Sequence, residues 1–376
     1  MTLQERYDTH QKGLIALSAS LEMLSLLGPY SDGGVPVARM AIGDDFRIDV
    51  APERGGDIIA LQNLQGRPGA SCPLGVVSAG NARSLVSLTD RLKTLAHGFT
   101  AMGHVGAPCQ YHPLHGSWTH TPMEIVNGDS SENEAYVEMA GRYRELCTAA
   151  LVGVEFDVER SIRVLTTDYG APGYILLDCV TMTRPGYPQY LHHPNEPMYL
   201  GDRLVLPWND VSYWSARDGE TPVNPFTPAR DVGQLADEQC YFGQLKAVRH
   251  TNEMLAFPSL ILGEDGLGVG RVFVTEADSY DPARSNFVYW RNPSYGWQAP
   301  EFGDLPKGRE YAIEHDLLRL YEKGEMLYWG YEDWRLNTPE HVSAFCQDWD
   351  MDPEAPVPDH LAGEIQGWDG KALPAP

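Results

Sequence analysis

Phe46-Arg47-Ile48-Asp49-Val50 alternates apolar and charged residues one for one. A period of two marks a strand with one face buried and the other in water. The same reading extends along the chain. Stretches 135–139, 152–160, 161–165, 174–181, 255–262, 271–275, 286–290 and 311–321 have strand character, and Gly, Pro, Asn and Asp punctuate them. Many short strands with turn signals predict a mainly β protein, an antiparallel β-sandwich spanning residues 36–330. Folds of this class reach that length as one domain.

The two ends read differently. Leu14, Leu17, Leu21 and Leu24 recur at helical spacing, and Gly28-Pro29 follows as a stop. Residues 1–35 are therefore expected to be an N-terminal helical extension. Its leucine stripe would pack on the main domain or on a second copy, so the pattern allows a homodimer. Residues 331–376 carry Pro353, Pro356, Pro358, Pro374 and Pro376 among acidic residues such as Asp348, Asp350 and Asp352. They are expected to form an acidic, extended C-terminal tail.

Composition narrows the function. The 376 residues include 52 Asp and Glu against 28 Lys and Arg, a formal charge of −24. Such a surface repels phosphate backbones and anionic lipid heads, which argues against nucleic-acid and membrane partners. There is no apolar run of the roughly 18 residues a spanning helix needs. The polar start reads as no signal peptide. Six cysteines without CxxC spacing are expected as reduced thiols in the cytoplasm. Gly266, Gly268 and Gly270 lie between two strand-like runs. A dinucleotide loop would lead into a helix, so this is expected to be a hairpin turn. With no P-loop either, no cofactor is expected.

Histidine placement points to chemistry. His112, His115 and His120 cluster in one Pro- and Gly-rich segment, and His192-His193 stand in Tyr190-Leu191-His192-His193-Pro194-Asn195-Glu196-Pro197. Such loop and strand-end positions are where functional groups concentrate, and imidazole both gives and accepts protons near neutral pH. Tyr111, Trp118, Tyr190, Tyr199, Trp208, Tyr213 and Trp214 stand near them in sequence. Aromatic faces with a few polar groups suit a sugar, whose C–H face stacks while its hydroxyls take hydrogen bonds.

Four motifs in order then resemble a known family. Leu114-His115-Gly116-Ser117-Trp118-Thr119-His120-Thr121-Pro122 resembles the Leu-His-Gly motif of the galactose mutarotase-like (aldose 1-epimerase) superfamily, and its His-Gly-x-x-x-x-Thr-Pro run is similar to the DUF4432 branch. Ile175-Leu176-Leu177-Asp178 followed by His193-Pro194-Asn195, the turn Arg54-Gly55-Gly56-Asp57-Ile58, and Leu305-Pro306-Lys307-Gly308 are similar to that branch as well. The resemblance covers about residues 40–325.

The resemblance implies a large super-β-sandwich with a sugar site on the concave face of one sheet. It implies an isomerase of the mutarotase type, acting on a small-molecule carbohydrate. His193 matches the acid that protonates the ring oxygen, and His115 the substrate-orienting histidine. Glu301 stands about where the family places its base. Trp118, His120, His192 and Asn195 are expected to bind substrate, as are Arg54 and Asp57. The Arg54–Asp57 pair also reads as a turn-stabilising ion pair. The chain has His115-Gly116-Ser117 where the branch has His-Gly-Arg, so one cationic contact is missing and a substrate other than a simple aldohexose, a free sugar or sugar acid, is expected.

Three alternatives stay open at this level. The histidine pair with a carboxylate also suits proton abstraction beside a carbonyl, as in a lyase or keto-sugar isomerase. A carbohydrate-binding protein without turnover uses the same residues. A divalent metal held by His112, His115, His120, His192, His193 and Glu196 is the rival use of the imidazoles. It is set aside because no His-Glu-x-x-His helix is present and Pro113 and Pro194 adjoin the ligands.

Overall fold

A computed structural model of the chain describes residues 19–26, 35–66, 98–103, 122–147, 152–186, 188–193, 195–197, 201–208, 211–216, 226, 239–251, 254–276, 287–291, 308–315 and 321–359. In chain order the strands are β1 (Ala19–Leu26), β2 (Val35–Ile42), β3 (Phe46–Ala51), β4 (Asp57–Asn63), β5 (Gly98–Gly103), β6 (Met123–Ser130), β7 (Glu134–Cys147), β8 (Val152–Thr166), β9 (Pro172–Met182) and β10 (Pro188–His193). They continue with β11 (Asn195–Pro197), β12 (Arg203–Val205), β13 (Val211–Ala216), β14 (Gln239–Leu245), β15 (Arg249–Thr251), β16 (Met254–Leu262), β17 (Gly268–Glu276), β18 (Phe287–Arg291), β19 (Gly308–His315) and β20 (Met326–Leu336). A helix, α1 (Pro339–Asp348), follows β20, and a 3₁₀ turn, Pro52–Arg54, joins β3 to β4.

The strands make three antiparallel sheets. A four-stranded meander runs β1-β2-β3-β4. A seven-stranded sheet has the order β13-β14-β18-β19-β10-β5, with β11 added on β19. A nine-stranded sheet has the order β12-β16-β17-β20-β9-β8-β7-β6, with β15 on β16. The chain is thus the mainly β, antiparallel assembly that the period-two segments predict. The glycine-rich segment after Leu262 is the expected hairpin. β16 and β17 pair from Met254↔Glu276 to Leu262↔Gly268, and Gly266 turns between them at φ +76°.

Alternation along the nine-stranded sheet feeds two cores. On one face Val158, Ile162, Leu176, Phe257, Phe273, Trp329 and Tyr331 meet Met40, Ile48 and Val50 of the meander. On the other face Leu260, Val272, Trp334 and Leu336 are covered by Val342, Phe345 and Cys346 of α1. Burying such side chains contributes about 1.5–3 kcal/mol each.

Two expectations about the ends are corrected. Leu21 and Leu24 lie on a strand, not a helix: β1 pairs with β2 along its whole length, from Ala19↔Ile42 to Leu26↔Val35. Eight residues of ladder, with Leu21 packed against the core, outweigh a leucine spacing that also fits a helix. Leu14 and Leu17 lie outside the described residues.

At the other end, β20 crosses the boundary expected near residue 330 and sits between β17 and β9 inside the nine-stranded sheet. Its inward charges are neutralised by partners. Arg271 Nε donates to Asp333 Oδ2 at 2.9 Å, and Arg335 Nη2 lies 2.8 Å from Asp333 Oδ1, with all three side chains fully buried. The chain then enters α1, capped by Thr338, whose hydroxyl accepts the His341 N–H at 3.2 Å. The acidic tail is therefore folded structure through Asp348.

Candidate functional site

The His192-His193 pair ends β10, an interior strand of the seven-stranded sheet. β10 pairs with β5 through Tyr190↔Ala101, Leu191↔Thr100, His192↔Phe99 and His193↔Gly98. On its other side it pairs with β19 through Tyr190↔His315, Leu191↔Glu314 and His192↔Ile313. The chain then adds β11 to the same neighbour, with Asn195↔Glu310. His192 is thus laddered on both sides, while His193 ends β10 opposite Gly98 and Asn195 opens β11 opposite Glu310, the strand-end positions expected.

The register also brings in a residue that sequence reading passed over. Residues directly opposite in an antiparallel pair share a sheet face, and every second residue returns to it. Position 314, opposite 191, therefore lies on the same face as position 193, one diagonal step away. A glutamate inside the strand-like stretch 311–321 was the available signal, but it points nowhere until the strand partner is known.

The Arg54 turn is built from below. Gly55 and Gly56 both take left-handed backbone, at φ +71° and +67°. Two consecutive residues of this kind call for glycine. A Cβ on Gly56 would stand 2.8 Å from Met139 Cε, 3.1 Å from Arg160 Cδ and 3.3 Å from Met123 Sδ. The turn is therefore pressed onto the nine-stranded sheet. Arg160, Asp178 and Trp329 occupy one register row across β8, β9 and β20. Arg160 grips Asp178 with a two-pronged fork, Nε to Oδ1 and Nη2 to Oδ2, both at 2.7 Å. Trp329 Nε1 donates to Asp178 Oδ2 at 3.0 Å. The remaining prong, Arg160 Nη1, donates to the Gly55 carbonyl at 2.7 Å and reaches that of Gly56 at 3.5 Å. Arg160 and Asp178 have no side-chain exposure. Such a fork between desolvated charges gives direction as well as energy.

Arg54 ends the 3₁₀ turn, and Asp57 opens β4 with no accessible surface. The neighbourhood also ties two distant segments together. The 3₁₀ turn lies against β6, which starts three residues after His120, and β4 lies against β5, which carries the ladder of β10. The turn thus lies beside β6, and β4 lies beside the strand that pairs with β10. His115, Trp118, His120 and Glu301 themselves lie outside the described residues, as do His112 and Pro194. Among the described residues no helix is long and apolar enough to cross a membrane.

Comparison with known proteins supplies the fold. No protein-family model matches the chain, and no curated protein matches it. Solved structures do. A candidate aldose 1-epimerase from Klebsiella pneumoniae subsp. pneumoniae superposes with a TM-score of 0.61 at 16% identity, over 91% of this chain and 90% of that one. A galactose mutarotase-like protein from Clostridium acetobutylicum gives 0.50 at 8% identity, over 85% and 98%. The chain has the galactose mutarotase-like fold. The fold that the four motifs imply is borne out. The likeness to the DUF4432 branch rests on those motifs alone.

Proposed function

We propose that the protein is a carbohydrate-active isomerase of the aldose 1-epimerase type, which interconverts the anomers of a free sugar or sugar acid. One observation carries this reading: in a galactose mutarotase-like fold, the His192-His193 pair stands on an interior strand of the seven-stranded sheet. The sugar motifs of the sequence and the aromatic residues around them support it.

The chemistry needs one acid and one base. His193, as imidazolium, gives a proton to the ring oxygen while a carboxylate takes the proton of the anomeric hydroxyl. The C1–O5 bond breaks, leaving an open-chain aldehyde. Rotation about C1–C2 presents the other carbonyl face, and reversal of the two transfers closes the ring as the opposite anomer. Neither charge develops fully because the transfers accompany bond breaking. Glu301 is the carboxylate that the motifs favour, and Glu314 the one that strand register favours. His115 orients the substrate, with Trp118, His120, His192 and Asn195 as further contacts. Arg54 takes a hydroxyl or carboxylate of the substrate.

Exchange NMR on D-galactose and D-galacturonate tests this reading and separates the two carboxylates. Glu301→Gln or Glu314→Gln should abolish anomer exchange, whichever is the base, and the other should leave it within a few-fold of wild type. A product with a new carbonyl or double bond would replace the isomerase by a lyase. Ligand-dependent stabilisation without exchange would make the protein a binding module.

A further inference from the structure

We infer that Arg160, Asp178 and Trp329 are positioning residues for the sugar site: a buried pedestal that sets the Arg54 turn, and through it substrate affinity. The inference rests on the proposed function for the identity of the ligand, but its mechanical half stands on geometry alone.

The pedestal has no catalytic reach of its own, since the Arg160 and Asp178 side chains are closed to solvent. It reaches the turn through Arg160 Nη1, which donates to the Gly55 carbonyl, one residue beyond Arg54, at 2.7 Å and reaches that of Gly56 at 3.5 Å. Here the carboxylate is itself fixed twice, by the Arg160 fork and by the indole N–H of Trp329. Three strands in one register row thus fix one atom, Nη1, against one backbone carbonyl. The carbonyl belongs to a pair of left-handed glycines, a conformation that a free loop populates only among several. The Gly55 and Gly56 N–H groups both close onto the Pro52 carbonyl, and the pedestal adds a hold from outside the turn. Preorganisation of this kind stabilises the bound state by removing the ordering that binding would otherwise demand.

Arg160→Lys keeps a cation beside Asp178 but cannot serve both the carboxylate and the Gly55 carbonyl. Trp329→Phe is the gentler variant, removing one donor to Asp178 and keeping a ring. Amide hydrogen exchange reads the first half without any substrate. Exchange at residues 55–57 should rise in both variants while the β7–β8 ladder keeps its protection. Unchanged exchange at 55–57 overturns the pedestal.

Kinetics on D-galactose and D-galacturonate read the second half. Each variant should raise KM about three- to tenfold, the loss of part of one charge-assisted contact, with kcat little changed. In an Arg54→Ala background the same variants should add nothing further to KM, because the contact they position is gone. Full additivity, or a fall in kcat with KM unchanged, overturns the positioning role. Faster exchange at 55–57 with a wild type inert on both sugars keeps the pedestal and sinks the sugar reading alone.

Discussion

Asp178 holds an arginine, an indole and, through Arg160, a backbone turn. Removing a carboxylate from a buried pair leaves an uncompensated guanidinium, which costs far more than the pair itself contributes. Asp178→Ala is therefore expected to lower unfolding free energy by about 3–5 kcal/mol in urea titration. Replacing both partners together, as Arg160→Met with Asp178→Leu, should destabilise much less than the two single changes summed. Gly56 makes a second residue-level point. Gly56→Ala puts a Cβ on left-handed backbone and against the end of Met139. A loss of about 1–3 kcal/mol is expected, and a neutral result would mean the turn relaxes freely.

At the scale of elements, α1 closes the second core and depends on its first turn. Thr338→Ala removes the acceptor for the His341 N–H and should cost about 1 kcal/mol in denaturant melts. His341 adds a pH dependence. Burial holds its imidazole below the ordinary histidine value, only partly offset by Glu340. The fold therefore binds this proton less readily than the unfolded chain does. Its contribution is complete above about pH 6.5 and is lost as pH falls through the depressed value. Stability measured from pH 7.5 to 5 should fall less steeply in His341→Gln than in wild type.

The elements also show what could be read beforehand. β3 and the β16–β17 hairpin were legible because apolar residues alternate or run between clear turn residues. β20 was not. Asp333 and Arg335 look like surface charges until Arg271 of the neighbouring strand is placed beside them. β1 carries a leucine spacing that fits a helix, and only its ladder with β2 decides otherwise. The pedestal was equally hidden. Arg160 and Asp178 stand 18 residues apart, and Arg160 and Gly55 stand 105 apart, so no local pattern joins them. The faint signal was a charge set inside an apolar run, as in Ile175-Leu176-Leu177-Asp178.

For the whole molecule, segments from the first 60 residues, the middle and the last third of the chain meet where Arg160, Asp178 and Trp329 hold the Gly55 carbonyl. The motifs foretold the fold because they keep their order along the chain, while the pairing of position 191 with position 314 depends on register between strands over 100 residues apart. The account stands on His193 as the acid of an anomer-exchanging site. The most direct test is exchange NMR of D-galactose and D-galacturonate with wild type and His193→Ala, both checked for equal melting temperature. The account predicts saturable anomer exchange by wild type and a loss of about 10²–10⁴-fold in His193→Ala. A folded His193→Ala that exchanges anomers as fast as wild type would contradict it.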